Sequence, residues 1–161
     1  MNDKLTVKEA QLKLEYYCSY QDRCHQEVVQ KCYDLGMNSD EVDAIVVHLL
    51  QNNFLNEERF ARSFARGKHR IKLWGKIRIV NELKQRHVSA PIIKLALTEI
   101  SESAYHETLD KVAEKQWESI RETNVQKKKK KFCDFLLRKG WESNFVYEKL
   151  KEFERSSTGS D

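Results

Sequence analysis

Residues 55–97 read LNEERFARSFARGKHRIKLWGKIRIVNELKQRHVSAPIIKLAL, and the spacing inside this stretch decides the fold class. Phe60, Phe64, Gly67 and Ile71 fall at i, i+4, i+7 and i+11, which is one face of a helix with a period of about 3.6 residues. Arg59, Arg62, Arg66 and Arg70 repeat at nearly the same spacing and form a second stripe beside the first. The expectation is one helix with an apolar seam and a cationic flank. Charge gathers in the same place. Between Asn56 and Val88 ten Lys and Arg stand against three Glu, a net of +7, while Met1–Leu55 sums to −4 and Ser89–Asp161 to +1.

Moving toward the N-terminus, Thr6 is placed to cap a helix from Val7 to about Tyr20, with Glu9 at the capping-box position and Leu5, Leu12 and Tyr16 expected inside. A second helix is expected from about Cys24 to Leu35, with Val28, Val29 and Cys32 inward and Gly36 supplying the left-handed end. A third should follow Ser39, its first turn favoured by Ser39, Asp40 and Glu41 and its seam made of Val42, Ile45, Val46 and Leu49.

The same plan returns further along. Shifts of 51 and then a further 53 residues bring Val28 onto Ile79 and Phe132, Cys32 onto Leu83 and Leu136, and Val42 onto Ile93 and Val146. Gly36 and Gly140 fall at equivalent helix ends, and His87 takes that place in the middle copy. The third-helix seam recurs as Ile93, Ala96, Leu97 and Ile100, and again as Val146, Leu150 and Phe153, with Lys149 interrupting it. Three copies of a three-helix unit are therefore expected. They form an all-α array: module 1 at 5–54 (acidic), module 2 at 55–100 (basic) and module 3 at 101–154. A first helix from about Ser103 to Thr123 opens the last module, and residues 155–161 should be a disordered tail. Modules this small bury little surface alone, so stacking into an elongated, curved solenoid is the expectation.

Composition narrows the function classes. With 34% charged residues, one proline and five glycines the chain reads as helical, with few tight turns. No 18-residue apolar run and no N-terminal signal segment stands in the sequence, so a cytoplasmic protein without a membrane partner is expected. Cys18, Cys24, Cys32 and Cys133 form no C-x-x-C pair and are expected to be reduced apolar residues. The order C-x5-C-H-x6-C across Cys18, Cys24, His25 and Cys32 matches no usual structural zinc spacing, and no metal or other cofactor is expected. A Cys–His nucleophile lacks any identifiable orienting residue or oxyanion donor, and Gly67 and Gly75 are too isolated for a phosphate loop. No enzymatic activity is expected.

The segment LNEERFARSFARGKHRIKLWGKIRIVNEL, followed by Ile93 to Leu97, resembles the signature of the RecX regulatory proteins, a family built of three tandem three-helix repeats that restrains the RecA recombinase. The resemblance runs from about Val7 to Phe153. It departs from the family at Arg86-His87, where Lys-Gly is usual, and at Cys24-His25-Gln26-Glu27-Val28, where Ser-x-x-Glu-Leu is usual. It implies a protein that lies in the groove of the RecA filament on single-stranded DNA, bridges successive protomers and modulates, mainly by inhibition, ATP hydrolysis, strand exchange and repressor cleavage; a monomer is expected because the repeat stacks end to end and its terminal modules are charged outside. DNA repair, homologous recombination and the SOS response are the processes implied.

Among the residues, the cationic stripe is the candidate partner surface: Arg59, Arg62, Arg66, Lys68, Arg70, Lys72, Lys76 and Arg78. A charge run is ordinarily a solvated face, but like charges on successive helical turns repel unless a partner offsets them. Lys127, Lys128, Lys129, Lys130 and Lys131 form a secondary basic candidate, read equally well as a solubilising first turn. Trp74, Trp117 and Trp141 are expected to pack rather than to stack on bases. Two further readings stay open: a helical-repeat protein that contacts DNA directly, and an enzyme with an unrecognised Cys or His site.

Overall fold

In the computed structural model residues 4–158 are described, and they are helical throughout, with no strand among them. In chain order the helices are α1 Val7–Tyr20, α2 His25–Asp34, α3 Ser39–Gln51, α4 Glu57–Arg70, α5 Lys76–Gln85, α6 Ala90–Leu97, α7 Glu102–Ser119, α8 Val125–Arg138 and α9 Ser143–Thr158. Two compact units divide the chain: Met1–Phe64 with Leu83–Ala96, and Ala65–Glu82 with Leu97–Asp161. The division passes through α4, α5 and α6.

The repeat is written into the helix ends. Gly36, His87 and Gly140 all have positive φ, of 87°, 61° and 94°. At each one the next residue turns back to a carbonyl five positions earlier: Met37 N–H to Cys32, Val88 N–H to Leu83 and Trp141 N–H to Leu136, all at 3.1 Å. This is one C-terminal capping motif used three times. His87 adopts without glycine a backbone that costs an L-residue about 1–2 kcal/mol. The residues aligned by the shifts are likewise buried in every copy: Val28, Ile79 and Phe132; Cys32, Leu83 and Leu136; Val42, Ile93 and Val146.

In the first unit, Ala10, Leu14 and Cys18 of α1 meet Val28 and Cys32 of α2 and Val42, Ile45, Val46 and Leu49 of α3. The expectation for α1 needs correction. Leu5 packs at the edge of this core, but Leu12 and Tyr16 are 57% and 74% exposed. They sit two residues, about 200° of helical rotation, from Ala10 and Leu14. The small Ala10 lets the α1 backbone approach its neighbours, and that preference sets which face turns inward. Asn38, rather than Ser39, caps α3: its side chain accepts from Glu41 N–H at 2.9 Å, and Glu41 accepts from Asn38 N–H at 3.0 Å.

The seam of α4 also differs. Phe60 is buried and Phe64 half-buried, their rings 5.6 Å apart, but the remaining buried positions are Ala61, Ala65 and His69, while Ile71 is 75% exposed. Two alanines and a histidine at i, i+4 and i+8 carry too little hydrophobicity to outrank phenylalanine and isoleucine in a periodicity reading. In the second unit α7 stops at Ser119, short of the expected Thr123, where Ile120 turns extended. Beyond Phe153, α9 continues to Thr158, and Ser156 Oγ donates to the Glu152 carbonyl at 3.1 Å. Part of the stretch expected as a tail is thus helical; residues 159–161 lie outside the described residues. Lys149 keeps the α9 seam intact by reaching out along it to Asp110 and Glu152.

Candidate partner-binding surface

The cations of α4 begin at a well-capped end. Asn56 accepts from Arg59 N–H at 2.9 Å, Glu57 and Glu58 lie in the first turn, and Lys68, His69 and Arg70 in the last, as the helix dipole favours. Arg59 is committed to the fold. Its guanidinium donates to Asp22 at 2.7 Å and to the carbonyls of Asn53 and Phe54 at 3.1 and 3.0 Å, pinning the turn in which Asn53 has φ 60°. Arg62 pairs with Glu58 one turn back at 3.1 Å, and Arg66 reaches Glu99 at 3.3 Å.

Past the end of α4 the pattern changes. Leu73 adopts φ 61°, turning Trp74 inward, and Trp74 N–H returns to the Lys68 carbonyl at 3.2 Å. A buried aromatic cluster holds this turn. His69 donates through Nδ1 to the Trp74 carbonyl at 3.0 Å and lies 5.5 Å from the Tyr105 ring and 5.8 Å from Trp141. Tyr105 accepts from Lys76 N–H at 2.9 Å and donates to Glu142, while Trp141 Nε1 donates to the Leu73 carbonyl at 3.2 Å. Burial, together with the Glu142 carboxylate, pushes the Tyr105 hydroxyl far above its ordinary value, so it stays a donor.

This clamp brings α5 onto the end of α8. Gly75 N–H donates to the Lys139 carbonyl at 2.8 Å and Ile77 N–H to that of Gly140 at 3.0 Å. A Cβ at Gly75 would collide with the Gly140 carbonyl, and one at Gly140 with the backbone of Arg78. Two isolated glycines therefore serve a close backbone crossing.

Four cations lie at the crossing, Lys72, Arg78, Arg138 and Lys139, and a fifth, the exposed Arg70, ends α4 just before it in the chain. Arg78 covers the Trp74 ring at 4.2 Å and donates to the Arg138 carbonyl at 3.3 Å; Lys139 Nζ donates to the Lys72 carbonyl at 3.1 Å. None of the five has a carboxylate partner among the described residues. Ile71 and Leu73 are exposed between them, so the surface carries apolar area as well as charge. Arg138 and Lys139 escaped the sequence reading because they stand 60 or more positions from Arg78 and Lys72. The repeat alignment, which sets Gly140 opposite His87, held no hint of that contact.

The other candidates are largely occupied. Lys76 lies over the Tyr105 ring at 4.5 Å and pairs with Glu102 at 3.3 Å, and Lys68 sits 5.1 Å from the Trp74 ring. In the α8 run Lys128 covers Trp117 at 4.2 Å, Lys129 pairs with Glu154 at 2.6 Å, Lys130 with Asp134 at 2.8 Å and Lys131 with Glu122 at 3.3 Å. Lys127 is exposed. Trp74 and Trp141 are buried, and Trp117 packs between Phe132 and Phe153 at 5.4 and 5.5 Å. All four cysteines are buried free thiols, and burial raises each, Cys32 to about 11. Burial and a raised value are the setting of a structural thiol, the opposite of the exposed, lowered thiol of a reactive cysteine.

The fold and the surface together define a class: an all-α protein of repeated three-helix units with a cationic face that carries no carboxylate partner among the described residues. Residues 56–97 match the model of the second three-helix domain of RecX, and residues 103–150 that of the third. The chain is 32% identical over 137 residues to the regulatory protein RecX of Vibrio campbellii, covering 85% of this chain and 84% of that one. To the Limosilactobacillus reuteri regulatory protein RecX it is 27% identical over 84% of its own length, and it spans 51% of that relative. A crystal structure of regulatory protein RecX superimposes with a TM-score of 0.76 at 25% identity over 91% of this chain and 73% of the other. The RecX of Lactobacillus salivarius, at 22% identity, shares the fold with a TM-score of 0.76 over 92% and 96% of the two chains. This chain belongs to the RecX family.

Proposed function

We propose that the chain is a cytoplasmic, non-enzymatic regulator that binds the RecA filament on single-stranded DNA and modulates it, mainly by inhibiting ATP hydrolysis, strand exchange and coprotease activity. Three modules, 5–54, 55–100 and 101–154, are its repeat units in this reading, and the protein acts as a monomer. The observation that carries the contact is the group of five cations without carboxylate partners at and just before the Gly75–Gly140 crossing. Like charges held together on a rigid backbone repel, and an acidic protein surface or a phosphate backbone offsets that repulsion. Of the original stripe, Arg70, Lys72 and Arg78 carry most of the contact, while Arg59, Arg62, Arg66, Lys68 and Lys76 are already engaged by carboxylates, carbonyls or rings.

The test is ATP hydrolysis by RecA on single-stranded DNA with increasing amounts of the protein. Inhibition by the parent chain, and at least about tenfold weaker inhibition by a folded Arg70→Glu/Lys72→Glu variant, is expected. No effect of the parent chain on hydrolysis would remove the proposal. The same cations also suit direct contact with DNA phosphates. Anisotropy of a labelled oligonucleotide without RecA separates the readings, since a direct DNA contact weakens steeply with salt.

A further inference from the structure

The exposed face of α1 carries an apolar stripe that the core leaves unused. Leu12, Tyr16 and Tyr20, at i, i+4 and i+8, are 57%, 74% and 74% exposed. They run about 12 Å along the helix. The stripe forms one wall of an open groove of about 570 Å³ between α1 and α2, closed on the α2 side by Leu35 and Lys31. Every charged residue lining it is cationic: Lys13, Arg23 and Lys31. Arg23 is already placed, lying 3.7 Å from the centre of the Tyr17 ring and 3.8 Å from Glu27. Lys13 and Lys31 have no carboxylate partner among the described residues.

We propose that this groove docks a short amphipathic helix of a partner protein, with two or three apolar side chains on one face and carboxylates beside them. Apolar anchors one helical turn apart are what a helix in a groove presents, and exposed tyrosines are favoured anchors for such contacts. Two lysines at the rim without carboxylate partners among the described residues, Lys31 lying 5.6 Å from the Tyr17 ring, select for acid. Charge also argues against the other occupants. A second copy in a two-fold contact would set Lys13 and Lys31 against themselves. A nucleic acid strand is a long polyanion, and the segment Met1–Leu55 that carries the groove has a net charge of −4, whereas residues 56–88 carry +7. A peptide with one or two carboxylates meets the local lysines without confronting the acidic remainder. The inference does not depend on the proposed function, since no residue of the cationic cluster takes part.

The experiment uses the full chain as bait for a phage-displayed library of 16-residue peptides, with counter-selection on a Tyr16→Ala/Tyr20→Ala variant. Both tyrosines are exposed, so the variant should fold, and circular dichroism verifies it. Selected peptides are expected to share apolar residues at i and i+3 or i+4 with flanking Asp or Glu. The best of them, labelled with fluorescein, should bind at least about tenfold more weakly to the double tyrosine variant and to a Lys13→Glu/Lys31→Glu variant. Loss of all enrichment without counter-selection, or equal affinity for parent and variants, overturns the proposal. A labelled 20-residue oligothymidylate that binds the parent and not the tyrosine variant would make the groove a base-stacking platform. Self-association abolished by Tyr16→Ala would make its occupant a second copy. Either result also overturns it.

Discussion

The two ends of α4 carry the same kind of residue and use it in opposite ways. At the N-terminal end Arg59 closes three hydrogen bonds to Asp22 and to the carbonyls of Asn53 and Phe54. At the C-terminal end Arg70 and Lys72 are exposed and meet no carboxylate among the described residues. The spacing of the arginines is regular throughout; what differs is the surroundings. An acid and two turn carbonyls converge on the first position, and a backbone crossing lined by further cations follows the last. Four of the five lysines of α8 are likewise engaged, three by carboxylates and one by the Trp117 ring. A count of charges therefore says where the basic residues lie and not which are available.

Three variants strain this contrast, beginning with the largest effect. Gly140→Ala forces a side chain into a backbone at φ 94° and against Arg78. Left-handed strain of about 1–2 kcal/mol and overpacking of about 1–3 should together cost roughly 3 kcal/mol, read as a lower denaturation midpoint. Regulation should fall with it, because the crossing holds the cations together. If stability stays within about 0.5 kcal/mol of the parent, the crossing is looser than drawn.

Arg70→Glu/Lys72→Glu should leave stability within about 0.5 kcal/mol and reduce partner affinity by about one to two orders of magnitude. Arg59→Ala should do the reverse. Charge-assisted hydrogen bonds contribute about 1.5–3 kcal/mol when well buried; at this half-buried site about 1–2 kcal/mol of stability should be lost, with the folded variant as potent as the parent. A potent, folded Arg70→Glu/Lys72→Glu variant together with an impotent, folded Arg59→Ala variant would invert the comparison.

How much of this was legible in the sequence depends on the kind of interaction. The helical class and the threefold repeat rest on apolar period and on end signals within a few residues of one another, and the matching burial of Val28, Ile79 and Phe132 follows from them. The facing of α1 was misread because Leu12 and Tyr16 are more hydrophobic than Ala10, while packing rewards the smaller residue where backbones approach. His69 went unnoticed because a lone histidine in a basic helix reads as one more polar residue. Its buried place depends on Tyr105 and Trp141, which are distant in the chain. The basic region was legible in the sequence; which of its cations are engaged within the fold was not, because ion pairs such as Arg59–Asp22 and contacts such as Lys139–Lys72 form only on folding.

The smallest effect tests whether the α8 lysines are as engaged as they look. Glu122 accepts from Asn124 N–H at 3.2 Å and pairs with Lys131 at 3.3 Å. The backbone N–H first, and Lys131 second, hold its carboxyl below the ordinary value. In the unfolded chain neither donor is fixed, so as pH falls the unfolded state takes up the proton first. The contribution of Glu122 is therefore complete above the unfolded carboxyl value and disappears as pH falls below it through the lower folded value. Glu122→Gln should remove this part of the pH slope of the thermal midpoint, leaving the two proteins closer at pH 3 than at pH 6. Because the Glu122 side chain is only partly buried and its partner Lys131 is exposed, the difference should be small, and salt should shrink only the Lys131 share. If parent and variant trace parallel curves from pH 6 to pH 3, the Glu122 pair is not formed in solution. Lys131 would then join Lys127 among the cations of α8 open to a partner, and the contrast between an occupied lysine run and an open arginine end would narrow to Lys128, Lys129 and Lys130.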